Sequence, residues 1–209
     1  MIATTKIHGF VLAGGASRRF GRDKALIEFG GGALIARLCR ILQLAIVTPV
    51  QIIGDDEKYG RTGVECVADR WPGEGPLGGI ITALETTTDS AVKPSWCLII
   101  GCDMPFLTVE SLRHLADRAA TSQAEVVVAE STYGLEPLCA CWRTSAAPTL
   151  RRAFEKGTRR VIEAMKQLSM EVLDAADWKR FDKFDRLFWN MNTPADYEEA
   201  IRMLKTERP

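Results

Sequence analysis

The sequence predicts an α/β fold, in which a mostly parallel sheet is covered by helices on both faces. Short apolar runs of strand length alternate with amphipathic segments of helix length along the chain. The runs are continuously apolar, as expected for strands that are buried on both faces. Glycine-rich or acidic turns follow several of these runs directly, at residues 14–15, 54–56 and 101–103. This combination is typical of a Rossmann-like fold.

The same pattern places the individual elements along the chain. Strands are predicted at residues 7–13, 50–53, 64–68, 96–100 and 124–129, with shorter or less regular strands at 136–142, 170–173 and 187–189. Helices are predicted at residues 34–44, 77–84, 109–120, 146–154, 160–168 and 194–204. Thr108 and Thr193 are predicted N-caps, the second followed by Pro194 at the first helical position. No repeat or linker interrupts the 209 residues, so a single domain over 1–209 is expected.

Composition narrows the class of protein. Lys plus Arg and Asp plus Glu each number 27, so no global basic field favours nucleic acid as a partner. No apolar run approaches the roughly 20 residues that span a membrane, and residues 1–9 lack the apolar region of a signal peptide. A cytoplasmic protein is therefore expected. The 6 cysteines contain no C-x-x-C pair, which favours buried reduced thiols over a zinc site.

A glycine-rich, basic segment follows the first predicted strand. Residues 12–24 read LAGGASRRFGRDK. Without a Cβ, Gly14 and Gly15 let backbone N–H groups approach phosphate oxygens. The cations that follow can neutralise a triphosphate and stabilise departing pyrophosphate; they are Arg18, Arg19, Arg22 and Lys24. The spacing is neither that of a Walker A loop nor that of a dinucleotide fingerprint. The segment predicts a nucleoside triphosphate site rather than a tight turn with a solvated basic face.

Two further segments should meet this one, because ligands bind at the carboxyl ends of parallel strands. Asp103 follows the apolar strand at 96–100 and is a candidate Mg²⁺ ligand; it lies too early to cap the helix after Thr108. The backbone around Gly78, in the sequence GPLGG of residues 75–79, can contact a base or sugar, or simply begin a helix. Asp69 can bond a base or ribose, although a loop Asp is more often only solvated.

The region before the last helix contains two unexplained amides. Residues 190–196 read NMNTPAD. Thr193 and Pro194 are accounted for by a helix start, but Asn190 and Asn192 are not. An amide oxygen can complete a metal shell or orient an acceptor, and Asn192 is the candidate metal ligand. Three cations earlier in the chain are open to two interpretations, an acceptor-phosphate site or, with more weight, a solvated face; they are Lys156, Arg159 and Arg160.

Taken together, these motifs resemble the molybdenum cofactor guanylyltransferases, within the nucleotidyltransferase superfamily. The resemblance rests on residues 12–24, on GPLGG at 75–79, on CDMPFL at 102–107 and on NMNTPAD at 190–196, in the same order over nearly the whole chain. The sequences EPLCA at 136–140 and GTRRV at 157–161 also look like this family. The first motif alone marks only the wider superfamily.

The resemblance implies transfer of GMP from GTP to molybdopterin, with Mg²⁺ and release of pyrophosphate. It implies GTP contacts from Leu12, Ala13, Gly14, Lys24, Asp69 and Asp103, with Asp103 on the metal. Lys24 and Arg19 would stabilise charge on the pyrophosphate. Transient contact with cofactor-synthesis or acceptor proteins is also expected. Two departures stand out: Gly54 lies where the family often carries Asn, and Phe20 where Met is usual.

Two alternatives remain at the level of sequence. One is a related cytidylyltransferase, or an enzyme that acts on another phosphate acceptor, because Gly54 weakens the assignment of the base. The other is a non-catalytic nucleotide-binding regulator on the same fold, against which the presence of both Lys24 and Asp103 counts.

Overall fold

A computed structural model describes residues 7–14, 23–46, 48–88, 94–182 and 184–206. Within them the strands, numbered along the chain, are β1 (Ile7–Leu12), β2 (Val50–Ile53), β3 (Cys66–Val67), β4 (Trp96–Gly101), β5 (Val126–Ser131), β6 (Gly134–Arg143) and β7 (Met170–Leu173). The helices are α1 (Leu34–Ile46), α2 (Asp56–Tyr59), α3 (Pro76–Thr88), α4 (Val109–Thr121), α5 (Ala147–Glu155), α6 (Val161–Met165), α7 (Ala175–Trp178) and α8 (Pro194–Lys205). Short 3₁₀ turns lie at Lys24–Leu26, Gly60–Thr62 and Thr144–Ala146.

The strands form one sheet in the order β3-β2-β1-β4-β6-β5-β7. All neighbouring pairs are parallel except those that involve β6, which runs antiparallel to both β4 and β5. The reason is local: only two residues separate β5 from β6, too few for the crossover that a parallel pair needs. The predicted mostly parallel sheet is confirmed. The carboxyl ends of β1, β4, β5 and β7 therefore lie at the same edge.

Helices cover both faces of the sheet, as predicted. On one face α1, α4, α7 and α8 pack over side chains such as Val11, Leu98 and Ile100. On the other, α3, α5 and α6 pack over the alternate side chains, such as Phe10 and Ile99. Because successive residues of one strand are buried on opposite faces, the strand sequences are apolar throughout rather than alternating.

Most predicted elements are present with shifted ends, but two differ. The predicted strand at 187–189 is wrong: the Leu187 N–H donates to the Asp182 carboxylate, and the Trp189 N–H donates to the Arg186 carbonyl. These backbone groups are satisfied in a turn and not in the sheet. The predicted strand at 64–68 is reduced to the two residues of β3. The predicted N-caps are confirmed, since Thr108 and Thr193 each accept the amide three residues on.

The six cysteines are free thiols and five are buried. Burial raises the pKa of Cys39, Cys97 and Cys102 to about 12, so these thiols are protonated near neutral pH. None of the helices in the described part of the chain has both the length and the apolar character required to cross a membrane.

Candidate active site

The first site segment begins where β1 ends. Leu12 and Ala13 are buried, the Leu12 carbonyl accepts from the Cys102 N–H at 3.2 Å, and the Ala13 N–H donates to the Ile53 carbonyl at 2.9 Å. The strand end is thus fixed to both neighbouring strands. The chain then turns at Gly14, whose φ of +138° is a conformation that residues with a Cβ rarely adopt.

Lys24 lies at the centre of the described site. Its ammonium donates to Asp103 Oδ2 at 3.2 Å and to Asn192 Oδ1 at 3.5 Å, although the partners are 79 and 168 residues away in sequence. The Lys24 and Asp103 side chains are each 18% exposed. The predicted phosphate-binding lysine, metal ligand and amide thus meet at one point. Half-burial strengthens this ion pair relative to one fully in water.

The Asp103 carboxylate occupies space that Gly101 leaves open. Oδ1 is buried without a hydrogen-bond partner among the described residues. A Cβ on Gly101 would lie 2.6 Å from this oxygen, closer than real Cβ contacts allow. The Asp103 carbonyl accepts the Met191 N–H at 2.8 Å, which joins this loop to the segment before α8. Asp103 does not cap α4, in agreement with the prediction.

The segment before α8 contains both a helix start and an amide that reaches the site, that of Asn192. Thr193 caps α8 in a capping box with Asp196, as a helix start requires. The Asp196 carboxylate also accepts the Asn192 N–H at 2.8 Å, so the cap positions the residue whose amide reaches Lys24. Asn190 is turned elsewhere: its amide nitrogen donates to the Phe188 carbonyl at 3.2 Å.

The loop before α3 is held by Asp69. Its Oδ1 accepts the Trp71 N–H at 3.0 Å and lies 3.2 Å from the Thr82 hydroxyl, which also contacts the Gly78 carbonyl at 3.0 Å. These bonds fix the loop against the first turn of α3. Within the described residues no donor reaches Oδ2, so that oxygen stays available to a ligand. Gly79 packs near Leu12, which brings the loop beside the end of β1.

Three residues to which the sequence analysis gave no role contribute to the site. Tyr59 is buried, and its hydroxyl donates to Asp23 Oδ2 at 2.7 Å. Burial and this bond raise the pKa of Tyr59, which keeps the donor protonated. Gly101 leaves room for Asp103, and Glu136 is buried at the start of the apolar part of β6. Glu136 belongs to the EPLCA sequence of the resemblance, and a charged residue in an otherwise apolar strand was the signal that could have marked it.

Glu136 links the segment before α8 to β5. Its carboxylate accepts from the Ser131 hydroxyl at 2.7 Å and bonds the side chain of Asn190. Burial raises the pKa of Glu136, Asp103 adds to the rise, and the two hydrogen bonds oppose it. The Glu136 carboxylate therefore fixes the side chains of Ser131, at the end of β5, and Asn190, in the segment before α8.

The side chains of the candidate site fit a metal ion that is bound partly by the protein and partly by substrate phosphates. In the described residues, no group of three or more acidic, His or Cys side chains converges as a metal site. Asp103 and Asn192 nevertheless direct two oxygens at one cation, the Lys24 ammonium. Mg²⁺ is commonly held by one or two carboxylates and by substrate phosphates, and this donor set is of that kind.

Comparison with known proteins decides the family. The MobA-like NTP transferase domain matches residues 9–170. The chain belongs to this family. It is a nucleotidyltransferase, as the resemblance predicted. A probable molybdenum cofactor guanylyltransferase of Chloroflexus aggregans is 33% identical to it over 202 residues, 95% of both chains. A molybdenum cofactor guanylyltransferase of Mesorhizobium japonicum is 32% identical over 207 residues, 96% of this chain and 97% of the relative.

A solved structure agrees with this assignment. The molybdopterin-guanine dinucleotide biosynthesis protein A of Archaeoglobus fulgidus superposes with a TM-score of 0.79 at 27% identity, covering 95% of this nucleotidyltransferase and 99% of that chain.

Part of the glycine-rich segment at residues 12–24 lies outside the described residues. Gly14 is placed, whereas Gly15, Arg18, Arg19, Phe20 and Arg22 lie outside the described residues.

The three basic residues before α6 form no contact with Lys24, Asp103 or Asn192 among the described residues of this nucleotidyltransferase. Arg159 donates to Glu74 at 2.7 Å and lies over the Phe154 ring at 4.0 Å. Lys156 and Arg160 are exposed. The solvated-face interpretation therefore describes these three residues as they stand in this structure.

Gly54, the position that the resemblance singled out, is tightly packed. A Cβ at this position would lie 2.6 Å from the Ala13 carbonyl oxygen and 2.8 Å from the Tyr59 ring. Any side chain at residue 54 would therefore require the surrounding structure to shift. The carboxylate of the neighbouring Asp55 caps α2 through the Glu57 N–H at 3.1 Å.

Proposed function

We propose that this nucleotidyltransferase transfers GMP from GTP to molybdopterin and releases pyrophosphate. The observation that carries the proposal is the meeting of Lys24, Asp103 and Asn192 at the carboxyl edge of β1 and β4. It is supported by relatives that are named molybdenum cofactor guanylyltransferases and that align with nearly the full chain. The function belongs to a site and not to the fold, so the residues have to be tested individually.

The nucleotide is proposed to bind across the end of β1. The backbone of Leu12, Ala13, Gly14 and Gly15 would line the triphosphate, because glycine lets amide groups approach phosphate oxygens. Asp69, through Oδ2, and the backbone at Gly78 would contact the ribose or base. Arg19 is assigned with Lys24 to the charge that develops on pyrophosphate.

The proposed chemistry needs no general base. A phosphate monoester has a second pKa near ~6, so the acceptor is already largely anionic at neutral pH. The task of the protein is to hold two anions in line and offset their repulsion. Lys24 is suited to this, because its ammonium is a mobile point charge that can leave Asp103 for a phosphate oxygen.

Mg²⁺ is the proposed metal, with Asp103 and Asn192 as its protein ligands. When bound, it would supply charge neutralisation between the nucleotide phosphates. In the structure the Lys24 ammonium lies within 3.2 Å of Asp103 Oδ2 and 3.5 Å of Asn192 Oδ1, and this shared cation supports the proposal that the two oxygens hold one metal ion.

The decisive experiment measures pyrophosphate release and dinucleotide formation with each of GTP, CTP, ATP and UTP, with and without molybdopterin. Of the four triphosphates, only GTP should support turnover, and it should do so only when molybdopterin and Mg²⁺ are both present. Turnover with CTP instead would replace the proposal by the related cytidylyl reaction. Nucleotide binding with no pyrophosphate release under any condition would support the non-catalytic alternative.

Variants test the residue roles. Lys24→Ala and Asp103→Ala should each lower kcat by about 100-fold or more, because each removes a charge that acts on the transferring phosphate. Lys166→Ala is the matched control, since among the described residues that lysine pairs with Glu163 at the exposed end of α6 and contacts no group of the site. Near-normal GMP transfer by Lys24→Ala or Asp103→Ala would refute the role of that residue.

A further inference from the structure

The loop that leads from β3 into α3, residues 68–75, contains a single aromatic side chain, Trp71. In the described chain these residues belong to no helix or strand, and all except Asp69 and Trp71, which are half-buried, are exposed. A loop without a backbone ladder is held mainly by its side-chain contacts. The contacts of Trp71 therefore decide how firmly this loop is fixed.

Trp71 contacts both parts of the loop that are proposed to bind the nucleotide. Its backbone N–H donates to Asp69 Oδ1 at 3.0 Å, and so orients the carboxylate whose Oδ2 is proposed to contact the ribose or base. The Trp71 Cβ lies 3.1 Å from the position that a Cβ on Gly78 would take, so the two residues are closely packed. A displacement of Trp71 would therefore move the Asp69 carboxylate and take support from the backbone at Gly78.

The Trp71 ring is docked on α5, a helix outside the candidate active site. The Arg151 guanidinium carbon lies 4.6 Å from the centroid of the indole, and the Phe154 ring centroid lies 5.3 Å from it. Phe154 is itself buried in the core that α3, α5 and α6 cover. A guanidinium over an indole and a tilted aromatic pair are both attractive arrangements. Two residues of one helix thus hold the ring.

Arg151 is fixed over the ring by Glu85 of α3. Its Nη1 donates to Glu85 Oε1 at 3.0 Å, and its Nε donates to Glu155, one helical turn away, at 2.8 Å. Glu85 also accepts from Arg70, a residue of the loop itself. Because the Glu85 side chain is only 20% exposed, salt and water screen its ion pairs less than those of a fully exposed carboxylate. One carboxylate thus joins the loop, α3 and α5.

A second ion pair, between Glu74 and Arg159, also reaches the loop. The two side chains meet at 2.7 Å but are 50% and 42% exposed. Exposed pairs of this kind contribute little, because water and salt screen them and both side chains lose rotational freedom. Trp71 is therefore the principal contact between the loop and α5.

We infer that α5 sets the affinity of the active site for its nucleotide through Trp71. Arg151 and Phe154 hold the indole ring. The Trp71 backbone in turn holds the Asp69 carboxylate beside Gly78. Trp71 and Arg151 are positioning residues, since they act on the nucleotide through the loop. The inference rests on the proposed function for the roles of Asp69 and Gly78.

The effect should fall on nucleotide binding and not on the chemical step. Lys24 bonds Asp103 and Asn192, and among the described residues none of the three forms a hydrogen bond with the loop. Contacts to the ribose or base are equally strong before and during phosphoryl transfer. Their loss therefore raises KM for the nucleotide and leaves kcat nearly unchanged.

Isothermal titration with GTP and Mg²⁺ gives the Kd of the wild-type chain and of four variants. Kd should rise about tenfold in Trp71→Leu and at least about threefold in Arg151→Ala, as expected for lost ring contacts. Trp71→Phe keeps a ring and should recover most of the affinity. Arg152→Ala is the matched control, because it removes the same charge from the next residue of α5, an exposed side chain that bonds Thr149. In steady-state GMP transfer, KM for GTP should rise with Kd while kcat stays within about twofold of wild type.

Each other result overturns a stated claim. Unchanged Kd in Arg151→Ala contradicts the inference even if Trp71→Leu fails to fold, because the Arg151 side chain is partly exposed and outside the core. An equal rise in Arg152→Ala assigns the loss to the charge of α5, and a fall in kcat without a rise in KM contradicts the positioning role. A wild-type chain that binds GTP but transfers no GMP refutes the proposed function, while the Kd values still decide the inference. A wild-type chain that binds no GTP refutes both.

Discussion

The Tyr59 hydroxyl donates a 2.7 Å hydrogen bond to Asp23 Oδ2, and so connects α2 to the residue directly before Lys24. Asp23 Oδ1 in turn accepts the Ala25 N–H at 3.0 Å and caps the 3₁₀ turn that carries Lys24. Both carboxylate oxygens of Asp23 are therefore used to fix the backbone around the lysine. In the described part of the chain, this hydrogen bond is what connects Tyr59 to the turn that carries Lys24.

Replacement of Tyr59 by Phe should lower turnover without abolishing it. The variant removes one hydrogen bond to a charged group, which costs about 1.5–3 kcal/mol, and it frees the turn that positions Lys24. Because small displacements of catalytic groups are expensive, kcat should fall by about tenfold. Steady-state GMP transfer and thermal unfolding are measured together.

Tyr197→Phe is the control for this prediction, since it also deletes a phenol that donates to the chain, here the Glu28 carbonyl at 3.1 Å. A fall in kcat that is equal in both variants would mean that the loss reflects stability and not the position of Lys24.

Gly101→Ala should damage the site while leaving the strand intact. The new methyl would lie 2.6 Å from Asp103 Oδ1 and 3.2 Å from the Leu138 Cβ, so the carboxylate has to move. We expect kcat to fall at least about tenfold, with overpacking that costs about 1–3 kcal/mol of unfolding free energy. Gly32→Ala, where a Cβ meets nothing within 4 Å, is the matched control. Wild-type turnover in Gly101→Ala would show that Asp103 tolerates displacement.

The sequence predicted that Lys24 and Asp103 lie close together because a general rule of parallel sheets applies to both residues. Both residues follow apolar strands, and the carboxyl ends of parallel strands share an edge. Tyr59 and Gly101 follow no such rule. No pattern in the sequence marks Tyr59, and its role depends on where α2 packs against Asp23. The role of Gly101 depends on the rotamer of a side chain two residues away.

The same distinction explains the wrong strand at 187–189. Leu187 and Phe188 of this segment are buried, but the Asp182 carboxylate caps the amides of Arg186 and Leu187 and holds them in a turn. Such a side-chain bond competes with sheet formation and is not visible in an apolar pattern. The antiparallel course of β6 was likewise decided by the short turn after β5.

Asp196→Ala should affect activity beyond its effect on stability. Asp196 Oδ2 accepts the amides of Asn192 at 2.8 Å and Thr193 at 2.7 Å, so its loss frees the backbone that presents the Asn192 amide. Loss of the capping contact should cost about 1 kcal/mol, and GMP transfer should also fall at subsaturating Mg²⁺. Ser111→Ala, at the equivalent position of the α4 capping box, should lose similar stability and keep its activity. Equal activity in both variants would contradict a role for Asp196 in positioning Asn192.

His114 should make the protein less stable as pH falls. Its ring packs against Trp178 and Phe181, and desolvation, followed by the nearby Arg180, lowers its pKa below the usual 6.5 in spite of Asp177 at 3.8 Å. A lowered pKa means that the unfolded chain binds the proton more readily, so stability is full above about pH 6.5 and declines below it. His114→Phe keeps an aromatic ring without the titration. Urea unfolding from pH 7.5 to 5.5 should therefore show a steeper loss in the wild type than in His114→Phe, with His8 common to both; parallel curves would refute the prediction.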